Sequence, residues 1–181
     1  MSKTNQLLIL SLFLLGTAEA QQGDTVIPKK KYFTQRLSGS ITLDGIPHEE
    51  AWNAVEWGGD FIQFQPNEGK APSQQTNFKI LYDDKYLYIG YRCHDLAPDS
   101  IVSRMGRRDE FPGDWVEINI DSYHDLRTAF SFTLSVSGVR SEEFVSENGN
   151  NWDASWNPIW FAETQKDDKG WSGEVKIPLS Q

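Results

Sequence analysis

The stretch Phe78-Lys79-Ile80-Leu81-Tyr82-Asp83-Asp84-Lys85-Tyr86-Leu87-Tyr88-Ile89-Gly90-Tyr91-Arg92-Cys93 sets the fold class. Two runs rich in β-branched and aromatic residues flank Asp83-Asp84-Lys85, which is the pattern of a hairpin. In the second arm Leu87, Ile89, Tyr91 and Cys93 fall on one face and Tyr86, Tyr88, Gly90 and Arg92 on the other. Side chains alternate across a pleat. Cys93 alternates with apolar residues and reads as core rather than as a nucleophile. Tyr86 and Tyr88 read as cross-strand packing.

The same period recurs outward from the hairpin. Val116-Glu117-Ile118-Asn119-Ile120-Asp121 alternates strictly, and so does Phe130-Ser131-Phe132-Thr133-Leu134-Ser135-Val136. Ile159 to Gln165 and Trp171 to Leu179 form a last hairpin around Lys166-Asp167-Asp168-Lys169-Gly170. Thr42 to Pro47 reads as a short strand entering a turn, and His48 to Trp52 as one helical turn anchored by Trp52. No window of about 12 residues beyond the leader has a helical period, so the fold class is all-β, an antiparallel, jelly-roll-like β-sandwich.

Composition narrows the function. The chain has 181 residues, 26 acids against 17 Lys and Arg, and a net charge of −9. A nucleic-acid partner needs a clustered positive field, which this balance opposes. One cysteine and three scattered histidines exclude a disulfide framework and a multi-ligand zinc site. Residues 1–20 read as a signal peptide, with Lys3, the apolar run Leu7 to Leu15 and the small-residue site before Ala20. That run is too short to cross a bilayer, which takes about 20 residues. The mature chain is therefore expected to be exported, to the periplasm, outer-membrane surface or exterior, and not to span a membrane itself. Residues 21–38 read as a polar leader, and 39–181 as the sandwich.

The strand faces suggest a binding surface. If Val116, Ile118 and Ile120 face the core, then Glu117, Asn119 and Asp121 face outward, and Ser131, Thr133 and Ser135 join them if the two strands pair. Carboxylates, amides and short hydroxyls suit sugar hydroxyls. A solvated sheet face is the plainer reading of the same pattern. The tryptophans add ring surface. Trp160 and Trp171 read as core or cross-strand packing. Trp152 and Trp156 follow a loop and are candidates for ring stacking. Trp115 points toward Glu117's face, either as a ligand contact or as packing under a loop.

Three segments carry a family resemblance. Ile41-Thr42-Leu43-Asp44-Gly45-Ile46-Pro47 with Glu50-Ala51-Trp52 is similar to the opening "I-x-L-D-G-x-x-x-E-x-x-W" of family-9-like carbohydrate-binding modules. The hairpin Phe78 to Ile89 is similar to that family's "V-x-x-L-Y-D-D-x-Y-L-Y", and Asp114 to Asp121 to its "D-x-V-E-I-F-I-D". Gly170 to Leu179 also fits. The resemblance covers roughly residues 38–181 and is closest to modules that open longer exported bacterial proteins. It implies a β-sandwich that binds an oligo- or polysaccharide without catalysis. It places an aromatic platform at Phe111, where the family usually has Trp, and a polar contact at Glu117. A basic contact of the family falls on Thr133. A second aromatic wall is implied beyond Gln181, so the sandwich is expected to be incomplete and to continue into a C-terminal domain of a longer parent. The expected ligand-binding set is Phe111, Trp115, Glu117, Asn119, Thr133, Trp152 and Trp156.

Other classes stay open. Structural calcium, which the family carries, would draw on the acidic turns Arg107 to Asp114 and His94 to Asp99, although Asp-rich turns also cap their own backbone. An assembly domain of an outer-membrane-associated protein that has lost sugar binding is one alternative. Part of a glycoside hydrolase is another, since two suitably spaced carboxylates would suffice. No nucleophile elbow or metalloprotease motif supports catalysis.

Overall fold

The computed structural model describes residues 29–111 and 113–180. The expected signal peptide and most of the leader lie outside these residues. From Tyr32 onward the chain is one compact body, while Lys29 to Lys31 are exposed.

Among the described residues nine strands form two sheets. The first contains β1 (Gln35–Arg36), β2 (Thr76–Tyr82), β3 (Tyr86–His94), β9 (Gly170–Pro178) and β8 (Phe161–Asp167), in that spatial order. The second contains β4 (Trp115–Ile120), β5 (Ala129–Ser135), β6 (Arg140–Ser146) and β7 (Asn151–Asp153). All pairings are antiparallel except the two-residue contact of β1 with β2. The expected β-sandwich is therefore present, with that parallel contact as an addition.

Apolar alternation builds the interior. Ile89, Tyr91, Val175 and Ile177 of the first sheet meet Phe132 and Leu134 of the second, with Trp160 and Trp171 buried among them. Val116, Ile118 and Ile120 pack against this cluster, as their period requires.

The second face of β3 is also covered. Tyr88 and Leu81 are buried with Trp52 and Val55, and Tyr32, Leu37 and Ile41 close the edge. The segment before β2 thus wraps the outside of the first sheet. Trp52 lies in a 3-10 turn, Glu50–Ala54, as the sequence predicts. Residues Thr42 to Pro47, expected as a strand, form no strand. Their backbone is bonded to a side chain instead. Glu174 of β9 accepts from Asp44 N at 3.0 Å, Gly45 N at 3.1 Å and Trp52 Nε1 at 3.1 Å. Gly45 sits at φ +88°, and a Cβ there would lie 2.6 Å from the Thr164 carbonyl carbon, so only glycine permits the turn.

Candidate functional site

The four-stranded sheet turns its second face away from the sandwich. Phe130, Phe132 and Leu134 of β5 point inward, so Ser131, Thr133 and Ser135 point the other way. Glu117 of β4 and Ser141 of β6 flank Thr133, while Asn119 and Glu143 flank Ser131. Five of the six residues expected on this face, Glu117, Asn119, Ser131, Thr133 and Ser135, thus share it, but not as an open row. Ser131, Thr133 and Ser135 are only 1%, 3% and 1% exposed. Longer neighbours stand over these short side chains, and the loop between Ile101 and Asp114 is bonded to this part of the sheet. Thr133 is floor rather than open surface, which corrects the expectation of exposed hydroxyls. Asp121 also leaves the patch, because its carboxylate accepts the backbone N–H groups of Asp125 and Leu126.

That loop is tied down at both ends. Asp114 and Val102 exchange hydrogen bonds, N to O at 2.9 Å and Val102 N to Asp114 Oδ2 at 3.0 Å. Gly113, at φ +72°, lies so close to the Val102 carbonyl that a Cβ would overlap it. Farther out, Asp109 N donates to Arg140 O at 3.0 Å and Ser141 Oγ to Glu110 O at 2.9 Å. Arg108 reaches Glu142, whose side chain is buried on the inner face of β6, and also donates to Pro158 O at 3.0 Å. The other oxygen of Glu142 accepts from Trp160 Nε1 at 2.9 Å. A buried carboxylate needs such partners to remain charged.

The loop delivers Phe111 to Trp115. Their rings meet edge-on with centroids 5.8 Å apart, and each residue is 45% exposed. Together they form an open aromatic station at one end of the face. Beside it, Asn119 Nδ2 donates to Glu117 Oε1 at 2.5 Å, which orients that carboxylate. Glu143 has its carboxyl pushed upward, first by burial and then by the charges of Glu117 and Asp109. Ser131 Oγ, between Asn119 and Glu143, is buried without a hydrogen-bond partner.

The later tryptophans separate. Trp152 of β7 pairs with Val145, is 44% exposed and fixes its indole by donating to Gly149 O at 2.9 Å. It shares the face of Glu143, but its register lies at Ala129 on β5 while that of Trp115 lies at Ser135. Six residues of strand put the two stations on the order of 20 Å apart. Trp156, expected as a stacking surface, packs instead against Phe130 and Phe132 at centroid distances of 4.8 and 5.5 Å. Its apolar ring completes the sandwich core.

The acidic turns cap backbone. Asp95 accepts from Ala97 N, Glu110 from Arg107 N and Asp114 from Val102 N. Among the described residues no three His, Cys, Asp or Glu side chains come together as a metal-holding group. No described helix is long and apolar enough to cross a membrane.

Glu143 and the Glu142 anchor were not among the residues expected from sequence, and Asp109 was named only within the acidic turn Arg107 to Asp114. Arg140-Ser141-Glu142-Glu143-Phe144-Val145-Ser146 lacks apolar alternation because Arg140 and Glu142 occupy inward positions. The adjoining Glu142-Glu143 pair is its one available signal, since alternation must send one of the two to each face.

Comparisons with known proteins follow this geometry. A family model described as "Carbohydrate family 9 binding domain-like" matches residues 43–181. A family 9 carbohydrate-binding module from Caldicellulosiruptor kristjanssonii in complex with cellotriose superposes with a TM-score of 0.60 at 22% identity, over 84% of this chain and 69% of that one. The same organism's module in complex with glucose gives 0.57 at 20% identity, over 81% and 69%. A putative carbohydrate-binding protein from Bacteroides uniformis gives 0.62 at 12% identity, over 83% and 73%. At these identities the likeness speaks for the fold. No curated protein matches the chain.

Proposed function

The chain belongs to the carbohydrate family 9 binding domain-like family, and from that membership we propose that it binds an oligo- or polysaccharide, without catalysis, on the outer face of the four-stranded sheet. The observation that carries this reading is the Phe111–Trp115 ring pair, half-exposed beside the oriented Glu117 carboxylate. A pyranose offers an apolar C–H face and a rim of hydroxyls. The rings take the first by dispersion and area burial. Glu117 accepts from the second, and a charged acceptor makes a stronger hydrogen bond than a neutral one. The solved structures of similar fold that hold cellotriose and glucose support a neutral β-glucan as the first ligand class to try.

Residues 1–20 support export of this module, and the family resemblance supports its service to a longer parent protein. Binding is tested by titrating the chain with cellotriose and following tryptophan fluorescence. Trp115 lies in the ring pair, so a saturable change is expected. Phe111→Ala and Glu117→Gln should each weaken binding by about 1–3 kcal/mol. A flat titration, or unchanged affinity in both variants, overturns the assignment.

A further inference from the structure

The hydrogen-bonding character of this face narrows the ligand. Around the buried Ser131 lie the carboxylates of Glu117 and Glu143, with Asp109 near enough to act on Glu143. Ionised carboxylates only accept. One of the two amide N–H groups of Asn119 is given to Glu117. Ser131 Oγ is 1% exposed and unpartnered, so its lone pairs are unused. Two nearby arginines are engaged elsewhere. Arg108 is committed to Glu142 and Pro158 O, and Arg140 donates to Trp160 O at 2.7 Å. Every resolved influence on Glu143 comes from burial or from another acid. The patch is therefore rich in acceptors, and among the described residues no ion pair forms to Glu117, Glu143 or Asp109.

A neutral hydroxyl donates one proton and also presents lone pairs toward acceptors. A carboxylated or sulfated sugar brings like charge. A protonated amine on a pyranose brings three donors, a positive charge and no lone pair, while its ring keeps the C–H face for Phe111 and Trp115. We infer that the module prefers amino sugars with a free ammonium group, held by Glu143 and Glu117 above the buried Ser131 hydroxyl and beside the Phe111–Trp115 rings. The inference rests on the sugar-binding reading above and deepens it.

The test is calorimetric titration of the full chain at neutral pH with four probes: the β-1,4-linked glucosamine trisaccharide, its N-acetylated counterpart, cellotriose and the non-sugar diamine 1,4-diaminobutane. The glucosamine trisaccharide differs from cellotriose chiefly at position 2 of each ring. It should bind roughly tenfold more tightly than cellotriose, as a charge-assisted bond replaces a neutral one. Acetylation should abolish that margin, and the diamine should bind far more weakly because it lacks a ring. Glu143→Gln should erase the preference, so that the two trisaccharides bind alike. Equal binding of the two trisaccharides by the unaltered chain overturns the inference and leaves sugar binding intact. So does a preference that survives Glu143→Gln, or diamine binding as tight as the amino sugar. Binding of none of the sugars overturns both readings.

Discussion

Trp52 Nε1 donates to Glu174 Oε1 across 3.1 Å, and both side chains are buried, 122 residues apart in sequence. This bond fastens the segment before β2 onto the outside of the first sheet. The same carboxylate holds Asp44 and Gly45, and Ser172 Oγ donates to Gly45 O at 2.6 Å. The motif L-D-G followed by Trp thus has a physical meaning: its backbone and its ring serve one acid on β9.

Trp52→Phe should keep most of the ring volume and remove one donor. The Glu174 oxygen it served would lose a partner in the interior, at a cost of about 1–3 kcal/mol. Trp52→Ala should cost more, about 3–5 kcal/mol, because a cavity opens among Leu81, Val55 and Tyr88. Urea unfolding followed by tryptophan fluorescence measures both. Equal midpoints for the two variants would contradict this packing.

Glu174 also gives a pH signature. Burial is the main cause that pushes its carboxyl from the ordinary 4.5 up to about 7, against the pull of its three N–H donors. The unfolded chain loses this proton near 4.5, while the folded chain keeps it until about 7. Its contribution to stability is therefore greatest below the lower value, declines as pH rises between the two, and is level above the upper one. Glu174→Gln should flatten that interval. Melting temperatures of both proteins from pH 4 to pH 8 give the comparison, and parallel curves would refute it.

Asp167 acts in the opposite direction. Two bonds from Arg92, at 2.6 and 2.8 Å, lead the causes that pull its carboxyl from 3.8 down to about 2. The stabilisation is present above the ordinary value and vanishes as pH falls through about 2. The pair is half-exposed on the Asp167 side, so solvent screens it. Asp167→Asn should lower stability slightly at neutral pH and make no difference at the acid extreme. A deficit that persists in acid would point to packing instead.

Glu142 couples the interior to the loop that carries Phe111. Arg108→Ala would leave this carboxylate buried with only Trp160 as its partner, a change that costs about 3–5 kcal/mol in buried pairs. Arg108 is partly exposed, so the lower end is expected here. The same variant should weaken sugar binding although Arg108 belongs to no aromatic station. Full stability together with full affinity in Arg108→Ala would show that the tie is incidental.

Much of this architecture was legible in the residues. The alternation of β3 placed Ile89 and Tyr91 on the face that meets β5, while the cover that Trp52 gives its other face came from the structure. The strands β4, β5, β8 and β9 fell within a residue or two of their apolar periods. What stayed hidden has a common physical origin. Residues Thr42 to Pro47 bond to a side chain 130 positions away, so local pattern gave them the wrong form. In β6 the inward Glu142 is paired with Arg108 and hydrogen-bonded by Trp160, partners no periodicity reveals. Among the expected site residues, Phe111, Trp115, Glu117 and Asn119 do share one surface with Thr133 beneath. Trp152 stands apart at the far end, and Trp156 was drawn into the core by Phe130 and Phe132.

The clasp between Val102 and Asp114 has a consequence for redesign. With Gly113 pressed on the Val102 carbonyl, the stem of this segment tolerates no inserted residue, whereas Met105 at its outer bend is almost fully solvent-facing. New specificities should therefore come from replacing side chains at positions 109 to 111, and length variation belongs only around Met105. A library that lengthens the stem would lose the scaffold before it sampled a new ligand.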